Sequence, residues 1–282
     1  MKFDSLQEKC EYYRSLADHK LMPNSNMLVM LDGNNFSSLV KNHFHLPFDD
    51  DFINMMNHTA LALCNQVAGV KFAYTQSDEI SLLITDYDTP VTGMLYNGRL
   101  CKIQSILAGI ATAEFNRVFI EYMLKKELKV NDDEPPKTYY SFDLISEKLA
   151  TMKMAKFDCK AWVVPSINDV YAWFLYRQHD CTRNSKQQAA QTYLSHNFLL
   201  GLDTDLQIQK LFHTKGIDWN EYEDGKKYGR FAYKQKQTFT RTINDKVVEF
   251  DRAKFDIHPA FVLDDNKDKF LNLINETIYN KE

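Results

Sequence analysis

Residues 71–84 read KFAYTQSDEISLLI and decide how this chain is interpreted. Two apolar, strand-like runs flank a tight polar turn that carries Asp78 and Glu79. A second acid, Asp32, ends another apolar run at 27–31 and is followed by Gly33, a residue that lets the backbone come close to a ligand. Two carboxylates at adjacent strand ends suit hard divalent cations, because Mg²⁺ takes one or two carboxylates together with phosphate oxygens. Read alone, each acid has an ordinary structural explanation. Asp-Gly is a common turn dipeptide, and Ser-Asp-Glu makes a plain hairpin tip. Their order (strand, Asp-Gly, helix, strand, acidic hairpin, strand) ties both to one sheet and points to metal-dependent nucleotidyl transfer.

The rest of the chain supplies a frame for that sheet. Residues 4–20 have a polar helical pattern, and Pro23-Asn24-Ser25-Asn26 breaks the chain before the first strand. Asp49, Asp50 and Asp51 give an acidic N-terminus to a helix reaching about Ala68, with Phe52, Met55, Met56, Ala60, Leu63 and Val67 at helical spacing. A loop at 86–97 precedes a second long helix, 98–126, with Leu100, Ile103, Leu107, Ile110 and Phe115 on its buried side. Arg99 and Lys102 share a face at its start, where free N–H groups attract anions. The pair reads as a triphosphate clamp or as a solvated helix face. After a charged, proline-bearing break at 131–137, a fourth apolar run at 161–164 ends at Pro165.

This layout is β-α-β-β-α-β, an α+β, ferredoxin-like, polymerase-palm arrangement with an antiparallel sheet and helices on one face. It divides the chain into a core at 1–165 and a helical and basic extension at 166–282, continuous with the core. Residues 168–195 are helical and rich in polar groups, among them Arg177, Gln178, Asp180, Arg183, Asn184 and Lys186.

At 282 residues and 44% hydrophobic content the chain can bury a full core. Its apolar runs are too short to span a bilayer and its start lacks a secretory apolar segment, so the expectation is a cytoplasmic protein away from membranes. Five widely spaced cysteines without a CxxC pair suggest neither a disulfide framework nor zinc, and His43 with His45 reads as a polar surface pair. Net charge is −4, which leaves nucleic-acid contact to local patches. One such patch interleaves Lys226, Lys227, Arg230, Lys234, Lys236 and Arg241 with Tyr228, Phe231, Tyr233 and Phe239, and it equally suits an edge hairpin protected by lysines.

The segments LDGNNF (31–36), YTQSDEISLL (74–83), RLCK (99–102), FDCKAWVVP (157–165), YRQHDCTRNS (176–185) and KGIDWNE (215–221) resemble, in order, the signature segments of the tRNA-histidine guanylyltransferase superfamily. The resemblance implies an enzyme that activates a tRNA 5′ end with ATP or GTP and then adds nucleotides there, in the reverse direction to ordinary polymerases. By the same resemblance Asp32 and Asp78, with the carbonyl of Gly33, are ligands of two Mg²⁺ ions, and Glu79 is a supporting acid. Asn34, Asn35, Phe36, Ser37 and Ser77 line the nucleotide, and Lys41, Arg99 and Lys102 hold phosphates. Contacts to tRNA fall to Arg177, Arg183, Asn184, Lys186, Lys227 and Arg230, and a homotetramer is implied.

Two departures narrow the reading. Met30 and Asn34 stand where the family usually has basic residues, which shifts the expected phosphate grip toward Arg99 and Lys102. Thr182-Arg183-Asn184-Ser185 replaces the His-Ile-Asn-Asn run of the histidine-specific enzymes and is similar to the guanylyltransferase-like branch associated with template-dependent 5′-end repair. Residues beyond about 236 match nothing in the pattern. The alternatives are histidine-specific G addition, a cyclase or dinucleotide synthase on the same palm, and a catalytically silent RNA-binding protein.

Overall fold

The computed structural model describes residues 2–128, 150, 152–243 and 246–279. The break expected at 131–137 lies outside them.

Six strands form one antiparallel sheet: β1 (Asn26–Gly33), β2 (Val70–Gln76), β3 (Glu79–Thr85), β4 (Phe157–Val164), β5 (Arg230–Ile243) and β6 (Lys246–Pro259). Their spatial order is β4-β1-β3-β2-β5-β6, so the first four strands have the ferredoxin-like order and the last two extend the sheet beyond β2. The helices are α1 (Leu6–Ser15), α2 (Phe36–His43), α3 (Asp50–Gln66), α4 (Leu100–Leu128), α5 (Ile167–Tyr193), α6 (His196–Leu199), α7 (Thr204–Lys215), α8 (Asp224–Lys227) and α9 (Lys267–Tyr279). None of the described helices is long and apolar enough to cross a membrane.

Strand periodicity assigns the two faces. Met27, Val29 and Leu31 of β1 join Ile80, Leu82 and Ile84 of β3 in a core against α3 and α4, the pair of helices expected on one face. Asp49 opens α3 as its cap, accepting the Phe52 N–H at 3.0 Å. At the acid end of the sheet this core becomes aromatic: Phe36 meets Phe115 and Phe157 edge-on, each at a ring separation of 5.0 Å.

The opposite face is not left to solvent. Leu28, Phe72, Tyr74 and Leu83 pack with Val170 and Phe174 of α5 and with Phe270, Ile274 and Ile278 of α9. The tail beyond the signature segments therefore completes a second core, with Phe270 edge-on to Phe72 at 5.4 Å. The basic-aromatic stretch at 226–241 becomes α8 and most of β5, which pairs with β2 only from Thr75↔Arg230 to Phe72↔Tyr233 before the β5–β6 hairpin continues alone. Gly229 is required at its root: it has φ +82, and a Cβ there would lie 2.5 Å from the Tyr74 ring.

Candidate active site

Sheet register places the acids. Asp32 stands opposite Glu79 on β3 and opposite Asp158 on β4, and Glu79 stands opposite Gln76 on β2. Asp158, Asp32, Glu79 and Gln76 therefore form one row across four strands, on the face covered by α5. Asp78 sits in the turn just beyond, and its carbonyl accepts the Gly33 N–H at 3.1 Å, locking the two acidic strand ends together. Burial first, then the charges of Asp78 and Asp158, raise the Asp32 pKa above the ordinary carboxylate value. Burial likewise raises Asp78, against a bond from the Ser77 hydroxyl at 2.9 Å. Carboxylates that are crowded and partly dehydrated in this way gain from a nearby cation.

Glu79 is 4% exposed, and so is not on the turn surface where the sequence placed it. Its partner comes from α5. Arg177 Nε donates to Glu79 Oε1 at 2.7 Å, Nη2 donates to Oε2, and Nη2 also reaches Asp180 Oδ2 at 3.0 Å. Burial pushes the Glu79 pKa up and Arg177 pulls it back, with burial ahead. On the arginine, burial is the largest single effect and works against the charge, but the bond to Glu79 and the charges of Glu79 and Asp180 together outweigh it and raise its pKa above the ordinary arginine value.

Gly33 serves a close approach, but to the protein itself. A Cβ on Gly33 would stand 2.4 Å from Cδ2 of Phe36, whose ring is held among Phe52, Phe115 and Phe157. Asn34 and Asn35 are exposed, and Asn35 takes the left-handed conformation that turns the chain into α2. Next to Asp78 opens a cavity of about 460 Å³, lined by Phe36, Ser37 and Lys41 from the α2 side, by Ser77, and by Gln188, Gln191 and Thr192 of α5. Its size lies in the range of small-ligand sites. Asp32, Gly33, Asn34, Asn35, Phe36, Ser37, Lys41, Ser77, Asp78 and Glu79 are thus brought to one end of the sheet. Asp158, Gln188, Gln191 and Thr192 join them without having been singled out in the sequence. Asp158 was legible as the polar position in the alternation of FDCKAW, whereas the α5 residues carry no local signal.

Other expected site residues are placed elsewhere. Arg99 and Lys102 lie at the far end of the sheet: Leu100 N–H bonds His19, and Leu21 N–H bonds Gly98, next to the Asn26↔Thr85 end of the β1–β3 pair. Six residues of strand separate that end from Asp32, roughly 20 Å at strand rise. Within one chain the pair therefore does not clamp a nucleotide held at the acids. Arg99 instead bonds Asp18 at 2.7 Å, and Lys102 lies over the Tyr96 ring.

Three expected tRNA contacts also require correction, because their charges turn inward. Arg177 is committed to Glu79. Lys227 is 8% exposed and bonds the Asn220 carbonyl at 2.9 Å, with Asp224 at 3.1 Å. Arg230 is 7% exposed and bonds Asn57 Oδ1 at 2.7 Å and the Gly225 carbonyl at 3.0 Å. Arg183 remains outward beside Asp180, Lys186 bonds Asp205 at 2.5 Å, and Asn184 lines a small cavity of about 90 Å³ with Gln76, Ser77 and Gln188.

A ferredoxin-like sheet with paired carboxylates on its middle strands and a ligand-sized cavity beside them defines a palm-type nucleotidyltransferase. The tRNAHis guanylyltransferase (Thg1) family profile matches residues 7–165, more than half of the chain, and the chain belongs to that family of nucleotidyltransferases. A protein of Acanthamoeba polyphaga mimivirus is 27% identical over 245 residues, covering 82% of this chain and 78% of the relative. The tRNA(His) guanylyltransferase 1 of Arabidopsis thaliana is 24% identical over 250 residues, 85% of this chain but 39% of that longer protein. A bacterial Thg1-like protein solved in complex with ATP superposes with a TM-score of 0.76 at 26% identity, covering 96% of this chain and 99% of its own. The same kind of protein in complex with GTP gives 0.71 at 25% identity with equal coverage.

Proposed function

We propose that this protein adds nucleotides to the 5′ end of tRNA in the reverse, 3′-to-5′ direction, restoring missing residues against the opposite strand of the acceptor stem. The observation that carries this reading is the joining of Asp32 and Asp78 at one sheet end, opening onto the cavity beside Asp78. ATP and GTP are the proposed nucleotides, in keeping with the bound ligands of the similar bacterial protein.

The donor set fits Mg²⁺. Asp32 and Asp78 offer hard oxygens, the raised pKa of each marks charge in need of compensation, and no closed cluster of three His, Cys, Asp or Glu ligands forms among the described residues. An open site of this kind leaves coordination to water and phosphates, as Mg²⁺ prefers. Asp32, Asp78 and the Gly33 carbonyl would hold two ions, which when bound lower the barrier by neutralising charge on the transferring phosphoryl group. The chain's own residues do the remainder. Arg177 and Glu79 keep the strand ends fixed, Ser77 and Lys41 face the phosphates, and Phe36 floors the cavity so that the nucleotide is oriented for attack.

On α5, Arg183, Asn184 and Lys186 are the proposed tRNA contacts. Thr182, whose hydroxyl bonds the Gln178 carbonyl at 2.9 Å, stands where histidine-specific members carry histidine. That substitution favours repair over placement of a single extra G. A homotetramer is part of the proposal, and light scattering reads it directly. The deciding experiment is pyrophosphate release from labelled ATP or GTP with 5′-truncated tRNAs of different identity, set against G addition to full-length tRNA-histidine. A marked excess for the latter returns the chain to the histidine-specific activity.

A further inference from the structure

The sheet face that carries the acids is only partly roofed. On β4, Asp158 and Lys160 alternate with the buried Phe157 and Ala161, so both project on the face of Asp32, and Lys156 immediately precedes the strand. All three are exposed, and among the described strands β4 lies at the edge of the sheet and pairs with β1. Asp158 is opposite Asp32 and Lys160 is opposite Met30, so the two lysines flank Asp158 in sequence at the β4 end of the acid row. Lys160 is close enough for its charge to act on Asp32. Neither lysine makes an ion pair with a described residue, whereas Arg99, Arg117, Arg177, Lys186 and Lys226 all do.

Aromatic surface adjoins these cations. Trp162, two residues along the same face from Lys160, meets Trp173 of α5 edge-on at 4.6 Å, and Trp173 Nε1 donates to Ser81 at 3.2 Å. One turn further, Tyr176 lies 5.9 Å from Trp173 and stays 58% exposed, with the Arg177 guanidinium 5.1 Å from its ring centre. A large exposed ring that is fixed from behind, beside two cations with no ion pair among the described residues and next to metal-type acids, has the composition of a site for a nucleic-acid end. Cations take the phosphate and the ring takes the terminal base.

From this arrangement we infer that the β4 edge seats the 5′ end of the RNA, with Lys156 and Lys160 on the terminal phosphate and Tyr176 stacked on the terminal base pair. The inference rests on the tRNA reading above and assigns it a specific surface. It also resolves an electrostatic conflict. A 5′-phosphate approaching Asp32, Asp78 and Asp158 is repelled by all three, and the two lysines supply the opposite charge where it must pass.

The competing role for these lysines is protection of an edge strand against pairing with other chains. Binding measurements separate the two. Without nucleotide present, a fluorescent acceptor-stem minihelix carrying either a 5′-monophosphate or a 5′-hydroxyl is titrated with the full chain. Wild type should prefer the phosphorylated RNA. The double variant Lys156→Gln/Lys160→Gln should lose roughly tenfold on that RNA and stay within about twofold on the hydroxyl form, the scale of a charge-assisted hydrogen bond. Arginine at both positions should restore the preference, and Lys210→Gln, on the remote helix α7, should leave it intact. Tyr176→Ala should weaken both RNAs, and Tyr176→Phe should not. The assignment is overturned if wild type shows no preference, or if the double variant keeps it, including the case where that variant merely self-associates. Catalysis enters none of these readouts, so pyrophosphate release by wild type judges the proposed function separately.

Discussion

Replacing Arg177 with methionine isolates what the buried arginine does for the acid row. In the native protein the Glu79 carboxylate is held by two guanidinium N–H groups and among the described residues otherwise has only long contacts, from Gln76 Nε2 at 3.4 Å and the Ser81 hydroxyl at 3.5 Å. Side-chain exposure is 9% for Arg177 and 5% for Glu79, so water cannot replace the missing bonds. Removing one partner of such a pair leaves an uncompensated buried charge and costs about 3–5 kcal/mol. At this chain length that is a fall of roughly 6–20 °C in melting temperature. Burial already raises the Glu79 pKa, and removing Arg177 raises it further, so the folded state binds protons more readily than the unfolded one. The destabilisation should therefore be largest at neutral pH and shrink as pH falls through the raised value, where Glu79 takes a proton. Denaturant melts at pH 5 and 7.5 would measure this, with Glu79→Gln and the double variant closing the cycle. The double variant should recover most of the stability, since a neutral amide needs no counterion. A pH-independent destabilisation, or a double variant as damaged as the sum of the singles, would refute the argument that charge compensation is the arginine's role.

Asp32→Asn and Asp78→Asn should each abolish Mg²⁺-dependent nucleotide addition, yet raise the melting temperature at neutral pH without metal. Both carboxyls have raised folded pKa values, so each costs stability once pH exceeds that value, and the gain should vanish in acid. For the same reason Mg²⁺ activation should weaken as pH falls through the raised values, which a Mg²⁺ titration of activity at several pH values would show. Gly33→Ala should cost about 1–3 kcal/mol by driving a methyl into the Phe36 ring, read by denaturant melts, with Phe36→Leu in the same chain relieving part of the clash. Arg183→Gln with Lys186→Gln should flatten the salt dependence of tRNA binding by about one unit of slope for each phosphate that is no longer neutralised. An unchanged slope would remove them from the RNA surface.

The order and type of the palm elements were legible because their periodicity is local: β2, β3, α3 and α4 all lie within a few residues of where the alternation places them. Asp32 and Asp78 were legible for the same reason, since each marks a strand end. Direction and depth were not. The i, i+3 spacing of Arg99 and Lys102 shows that they share a helix face, but which end of the sheet that helix starts from is settled only by the route of the loop after β3. Lys227 and Arg230 have the local pattern of a solvated basic strand, yet pairing of β5 with β2 pulls Arg230 into the interior, and Lys227, at the end of α8, is held by the Asn220 carbonyl and Asp224. Glu79 and Arg177 are 98 residues apart, and no spacing rule connects them.

The roof over the acid row has a consequence for how the protein is made. Asp32, Asp78, Glu79 and Asp158 all precede α5 in the chain, while Arg177, the buried countercharge of Glu79, follows them. A chain emerging from the ribosome N-terminus first can therefore pair its four palm strands before the carboxylate between β1 and β2 has its partner. Glu79 must stay protonated or hydrated until about residue 177 arrives. Arrival of α5 then covers Glu79 and gives it its guanidinium partner. Maturation of the catalytic end is in this way coupled to completion of the C-terminal half, so a truncated product would carry every palm acid without the residue that holds them in order.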